Sequence, residues 1–308
     1  MSRNPSSIPA SLSKRSQILL WCLRHQKKRG RGVATPLPAL RRWLKFIERI
    51  VPPPPRGTRT QLIDADGISA VRVTVPQSRA DRCVLYFHGG GYVVGSARLY
   101  RDFLWRMAAA TRACVLYFDY RLAPEHPFPA AVEDSVNAYR WLAQRVDNRR
   151  IAFAGDSSGG GLAFAAVQKL RDENSSLPTA VVALSPWTDL ALTGASLQSN
   201  AEADPMMSVE AMPNFAAHYL AGADPMHPYA SPLHGDMSGF PPALIQVGSD
   251  EILRDDGVRM AEKLRSAGCD SEIEIWPHMP HCWQLYARIL PEGRLAIERI
   301  GKFLERTL

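Results

Sequence analysis

The feature that most restricts this 308-residue chain is a series of short apolar runs, each followed by a segment of helical pattern. Cys83 to Phe87, Ala113 to Phe118, Ile151 to Ala154, Ala180 to Leu184 and Ala243 to Val247 are almost wholly apolar, and Glu272 to Trp276 alternates. Helical spacing follows at Leu99 to Thr111, Val132 to Val146, Gly160 to Asp172, Gly257 to Ala267 and Arg294 to Arg306. A strand apolar on both faces must be covered on both, and intervening helices supply that cover. The expected class is α/β, with a mainly parallel central sheet flanked by helices. In such sheets the site lies beyond the carboxyl ends of the strands. Ahead of these units, Val71, Val73 and Val75 alternate with Arg72 and Thr74 after an Asp66-Gly67 turn signal, which predicts a further strand.

Two segments break the rhythm. Leu40, Trp43, Leu44, Ile47, Ile50 and Val51 recur at helical spacing within 38–51, a weaker helix pattern covers Gln17 to Lys28, and Pro52 to Pro55 closes the region. Residues from about Pro186 to Pro232 carry few strand signals, with a helix expected near Val209 to Leu220, and read as an insertion over the sheet. Charge follows the same division. Residues 1–60 hold 14 Lys and Arg against one acid, Glu48, for +13, whereas the other 248 residues sum to −6. A basic arm of this kind suits a solvated helix face, an anionic membrane surface or nucleic acid. Cys22, Cys83, Cys114, Cys269 and Cys282 are odd in number and lack paired spacing, which fits free thiols in a reducing compartment. The longest early apolar run, Ile18 to Leu23, is too short for a span or a signal core, so the expected location is cytoplasmic.

Glycine-rich turns after strands invite a nucleotide reading, which the spacing excludes. Gly89-Gly90-Gly91-Tyr92-Val93-Val94-Gly95 misses the dinucleotide fingerprint by one residue, and Gly155 to Gly161 is followed by Leu162-Ala163 where a triphosphate loop needs Lys-Ser/Thr. No metal-ligand pattern occurs, and neither metal nor cofactor is expected. Gly155-Asp156-Ser157-Ser158-Gly159 does match Gly-x-Ser-x-Gly, between an apolar strand and a small-residue helix. That is the setting of a nucleophile elbow, in which a strained serine projects its hydroxyl above the sheet. Ser157 is the expected nucleophile. Ser158 contributes its backbone N–H to the oxygen that becomes negative.

A second donor loop is expected at His88-Gly89-Gly90-Gly91, with Gly89 and Gly90 preferred and Gly91 as a third; His88 reads as an anchor of that loop. A serine hydroxyl needs a histidine to take its proton and an acid to orient the histidine, in the chain order Ser, acid, His. The strand at Ala243 to Val247 ends in Gly248-Ser249-Asp250-Glu251, which nominates Asp250, with Glu251 as lesser competitor and Asp255 and Asp256 as helix-start residues. After Glu272 to Trp276 come both His278 and His281, and spacing alone does not choose between them.

Taken together, His88-Gly89-Gly90-Gly91, Asp119-Tyr120-Arg121-Leu122-Ala123-Pro124-Glu125, Phe128-Pro129-Ala130-Ala131, Gly155-Asp156-Ser157-Ser158-Gly159-Gly160 and Asp250-Glu251-Ile252-Leu253-Arg254-Asp255 resemble the hormone-sensitive lipase family of α/β-hydrolase carboxylesterases over residues 50–308. The resemblance implies an α/β-hydrolase fold with a helical cap, and a division into a cap segment at 1–50, core at 51–186, a cap insertion at 187–235 and core at 236–308. It implies Ser157, Asp250 and His281 as the triad, with Cys282 where the family has glycine and Ser158 where alanine is common. It also implies hydrolysis of short- to medium-chain acyl esters through an acyl-enzyme, with no cofactor. An amidase or deacetylase would use the same residues. A non-enzymatic receptor on this fold would be expected to have a damaged triad. The partner expected is a small acyl ester, without nucleic acid or stable membrane insertion; surface contact by the basic segment and a homodimer are left open.

Overall fold

The computed structural model describes residues 8–9, 11–26 and 36–308. Eight strands form one sheet: β1 (Arg59–Ala65), β2 (Ile68–Thr74), β3 (Arg79–Phe87), β4 (Ala113–Phe118), β5 (Ile151–Asp156), β6 (Val181–Leu184), β7 (Ala243–Gly248) and β8 (Ser271–Trp276). The spatial order is β1-β2-β4-β3-β5-β6-β7-β8. β1, β2 and β4 pair antiparallel, and every pairing from β4 onward is parallel. The helices are α1 (Lys14–Gln26), α2 (Leu37–Ile50), α3 (Ala97–Thr111), α4 (Ala130–Ala143), α5 (Ser158–Asp172), α6 (Ser196–Ser199), α7 (Met212–Leu220), α8 (Arg254–Ser266) and α9 (Pro291–Thr307).

The central strands follow from side-chain chemistry. Cys83 to Phe87 are all fully buried, because successive residues enter opposite faces and both faces are covered. Leu85 and Phe87 join one apolar cluster with Phe153, Phe164 and Leu170, and Val84 and Tyr86 join another with Met107 and Ile300. β1 carried neither an apolar run nor an alternating pattern long enough to mark a strand. It is an edge strand, largely exposed, held by its ladder to β2 across a turn in which Asp66 and Gly67 take φ of 55° and 88°. α8 begins at Arg254, earlier than its apolar pattern, because Asp255 and Asp256 suit a first helical turn.

The segment between β6 and β7 contains α6 and α7, the latter starting at Met212 behind a 3₁₀ turn at Val209–Ala211. The early helix expected from Gln17 to Lys28 runs Lys14–Gln26; Lys27 and Lys28 lie outside the described residues. It is tied to α9, where Glu292 accepts from Ser13 N (2.6 Å) and Ser16 Oγ (2.5 Å). Among the described residues no helix is long and apolar enough to cross a membrane.

Leu85 fills the sheet centre with no exposure. Leu85→Ala is expected to cost about 2–5 kcal/mol of stability, read as a lowered urea midpoint with secondary structure retained below it.

Candidate active site

The site is built on the carboxyl end of β5. Ser157 takes φ 53° and ψ −125°, a backbone state that non-glycine residues seldom adopt, and α5 begins at the next residue. Its N–H donates to Leu184 O (2.8 Å), and its carbonyl accepts from Gly160, Gly161 and Trp187 N–H. A Cβ on Gly155 would enter the carbonyl of Gly159. One on Gly159 would enter the carbonyls of Phe87 and His88. The two outer glycines of the pentapeptide therefore let β3, β5 and α5 touch.

Ser157 Oγ donates to His281 Nε2 at 2.9 Å, and His281 Nδ1 donates to Glu251 Oε2 at 2.7 Å. The imidazole is buried and Glu251 is fully buried. The carboxylate that meets the imidazole is therefore that of Glu251 and not that of the expected Asp250. Asp250 instead accepts from Arg24 of α1 (3.2 Å) and from Ser249 Oγ (2.8 Å). The cause is the turn after β7. Glu251 folds back so that its Oε1 accepts from Gly248 N–H (2.7 Å), which aims Oε2 at the imidazole and turns Asp250 toward α1. His278 is exposed, 3.7 Å from Asp250, and takes no part in the chain of contacts from Ser157.

The turn is held from the segment between β6 and β7. Asn200 Nδ2 donates to the carbonyls of Ser249 and Glu251 (2.9 Å each), and Asp204 accepts from Ile252 N–H (2.9 Å). Gly248 has a further role, since a Cβ there would enter the Met279 carbonyl of the histidine loop. Cys282 occupies φ 51°, the left-handed region that glycine adopts without strain, and donates its N–H to Ser185 Oγ (3.0 Å). Burial works against the charged form of His281, but its hydrogen bond and attraction to Glu251 favour that form and carry the imidazole above its ordinary range. Burial pushes the Cys282 thiol up to about 11, so it is neutral at physiological pH.

The second expected donor loop also needs correction. Gly89 N–H is already engaged, donating to Asp156 Oδ1 (3.0 Å) and Tyr100 Oη (2.9 Å). It is a brace and not an open donor. Among the described residues the N–H groups of Gly90, Gly91 and Ser158 donate to nothing. Gly90 and Gly91 take φ of 113° and 61°, and Phe215 of α7 lies against Gly91. Ser158 Oγ accepts from Tyr92 N–H (3.3 Å), joining the elbow to this loop.

Apart from His88, read as the anchor of the donor loop, the supports around it had no assigned role in the sequence reading. Asp156 is buried and accepts from Tyr86 (2.7 Å) and Tyr100 (2.9 Å) as well as Gly89; burial raises its pKa. His88 is buried, donates Nδ1–H to Gly89 O (2.8 Å) and stacks on Tyr120 at 4.1 Å, while burial lowers it to about 4. It is a neutral loop anchor at pH 7. Tyr120 donates to His88 O (2.7 Å), and Arg121 grips Asp134 of α4, which accounts for these two residues of the Asp119 to Glu125 motif. Among the described residues no cluster of ligating side chains could hold a metal ion.

Residues 84–285 match the α/β-hydrolase fold family. An acetyl-hydrolase of Streptomyces hygroscopicus is 47% identical over 230 residues, 74% of this chain and 77% of that protein. The carboxylesterase NlhH of Mycobacterium tuberculosis is 35% identical over 79% of this chain and 80% of its own. A solved esterase of the bacterial hormone-sensitive lipase family superposes with a TM-score of 0.90 at 43% identity, covering 96% of this chain and 99% of that one. The chain is an α/β-hydrolase of the hormone-sensitive lipase type. Its class is thus that of the esterases, and the strand–elbow–helix unit around Ser157 sits inside the matched region.

Substituting either outer glycine of the elbow should destroy the site before it alters the chemistry. Gly159→Ala is expected to remove esterase turnover and lower the unfolding midpoint, whereas Gly67→Ala, at a turn with open space around it, should leave turnover intact. Parallel thermal melts and p-nitrophenyl acetate assays check both.

Proposed function

We propose that this protein is a serine carboxylesterase acting on short- to medium-chain acyl esters through Ser157, His281 and Glu251. The observation that carries the reading is the unbroken pair of contacts from Ser157 Oγ through the imidazole to Glu251, at 2.9 and 2.7 Å. His281 takes the hydroxyl proton as Ser157 attacks the ester carbonyl. Glu251 holds the Nδ1–H tautomer and supports the imidazolium that forms. The tetrahedral oxygen is met by N–H groups of Gly90, Gly91 and Ser158, at the positive end of α5. His281 then gives its proton to the departing alcohol, and water activated by the same imidazole releases the acid from the acyl-enzyme.

Phe215 against Gly91 narrows the space beside the oxyanion donors, which favours short acyl groups. Relatives named acetyl-hydrolase and carboxylesterase agree with that size range. Turnover is expected to be highest with p-nitrophenyl acetate or butyrate and weak with palmitate.

Three variants separate the carboxylates. Ser157→Ala should abolish turnover of p-nitrophenyl butyrate. Glu251→Ala should lower kcat on the order of a thousandfold or more, because the imidazole loses its orienting charge. Asp250→Ala should retain turnover of the wild-type order. Equal losses at 250 and 251 would refute the assignment of Glu251.

The pH dependence has a defined sign. His281 must be neutral to accept a proton, and its pKa is raised, so kcat/KM should fall on acidification through a midpoint above 6.5. Glu251→Gln removes the carboxylate charge and should move that midpoint down while lowering the plateau. A wild-type midpoint below 6.5 would contradict the assigned environment of the imidazole.

A further inference from the structure

Helix α2 is held to the body by one face. Arg41 donates to the carbonyls of Val93 (3.0 Å) and Ala123 (2.8 Å) and pairs with Glu125 (2.6 Å), and Glu48 accepts from Ser96 Oγ (2.6 Å). Leu37 packs on the main apolar cluster, and Leu44 and Ile47 are half-buried along the same side. The other face is different. Trp43, Phe46 and Ile50, spaced i, i+3, i+7, are 57%, 57% and 60% exposed. Arg42, Lys45 and Arg49 repeat that spacing one residue earlier, also exposed, and no described carboxylate pairs with any of them.

An exposed strip of Trp, Phe and Ile needs a reason in a water-facing helix. Flanked by a row of cations on the same helix, it has the chemistry that seats a helix in the plane of a membrane interface. The surrounding charge selects the occupant. The first 60 residues carry +13, and their single acid, Glu48, is taken up by Ser96. A second copy docking through this face would bring two such segments together, which electrostatics opposes. An anionic lipid surface complements it.

We propose that the outer face of α2 docks on an anionic lipid surface. Trp43, Phe46 and Ile50 enter the boundary between headgroups and acyl chains, and Arg42, Lys45 and Arg49 meet the lipid phosphates. The inner face of the same helix holds Val93, two residues beyond Gly91, so docking would keep the donor loop close to the lipid. The helix α1 adds exposed Ile18 and Trp21 to the same basic segment.

The test is co-sedimentation of the full chain with vesicles of phosphatidylglycerol and phosphatidylcholine mixed equally, beside vesicles of phosphatidylcholine alone. The expected result is binding to the anionic vesicles that weakens as salt rises, with much weaker binding to the neutral ones. Phe46→Ser with Ile50→Ser, and separately Arg42→Glu with Lys45→Glu and Arg49→Glu, should each weaken binding about tenfold or more. Both sets should keep wild-type turnover of soluble p-nitrophenyl acetate, since none of these residues touches the Ser157 site. A milder variant, Trp43→Phe, should reduce the quenching of tryptophan fluorescence by brominated phosphatidylglycerol. Equal binding to both vesicle types, or binding untouched by either set, would overturn the proposal. So would light scattering that shows a dimer dispersed by Phe46→Ser with Ile50→Ser. Ser157→Ala should bind vesicles as wild type does, so failure of docking and failure of the esterase reading give separate results.

Discussion

Three backbone segments meet around Ser157 at distances that leave no room for a methyl group. β5 arrives through Gly155, α5 leaves through Gly159, and the end of β3 lies against both at Phe87 and His88. This close approach makes a left-handed serine affordable. The surrounding hydrogen bonds, from Ser157 N–H to Leu184 and from Gly160, Gly161 and Trp187 to the Ser157 carbonyl, fix an angle that an isolated chain would rarely visit. It also sets the distance from the hydroxyl to the donor loop, because that loop begins where β3 ends.

Three carboxylates near the site do three different jobs, and burial with hydrogen bonding separates them. Asp156 is buried among two tyrosines and the Gly89 N–H and acts as a brace for the donor loop. Glu251 is buried with one oxygen on Gly248 N–H and the other on the imidazole, the position from which we propose that it orients His281. Asp250, its immediate neighbour, faces the half-exposed guanidinium of Arg24, a contact of the kind that contributes little to stability. Chemically similar groups thus become loop support, imidazole partner and surface tether through geometry alone.

The N-terminal helices connect these parts to the outside. α1 reaches the acid turn through Arg24 and Asp250, and α2 reaches the donor loop through Arg41 and Val93. Both ends of the site are therefore in contact with the most basic part of the chain. The electrostatic split between a +13 segment and a −6 remainder lies along the same division.

Residue pattern alone carried much of this protein. Strands buried on both faces had to be apolar runs, so the parallel part of the sheet was legible, and the elbow was legible because its glycines are required by contact between backbones. β1 was not, since an edge strand exposed on its sides needs only a partner ladder and no apolar code. Asp250 and Glu251 could not be told apart in sequence for a related reason. Adjacent residues in a turn differ in direction through torsions set by Asn200, Asp204 and Gly248, which come together only in the folded chain. Gly89 misled in the same way: a glycine advertises freedom for its N–H, but whether that N–H is free depends on where the Asp156 and Tyr100 side chains end up. Sequence determined which segments must be covered and where a backbone must be bare. Tertiary structure decided which of several suitable polar groups point at the reacting atoms, because direction at a turn is a property of its surroundings.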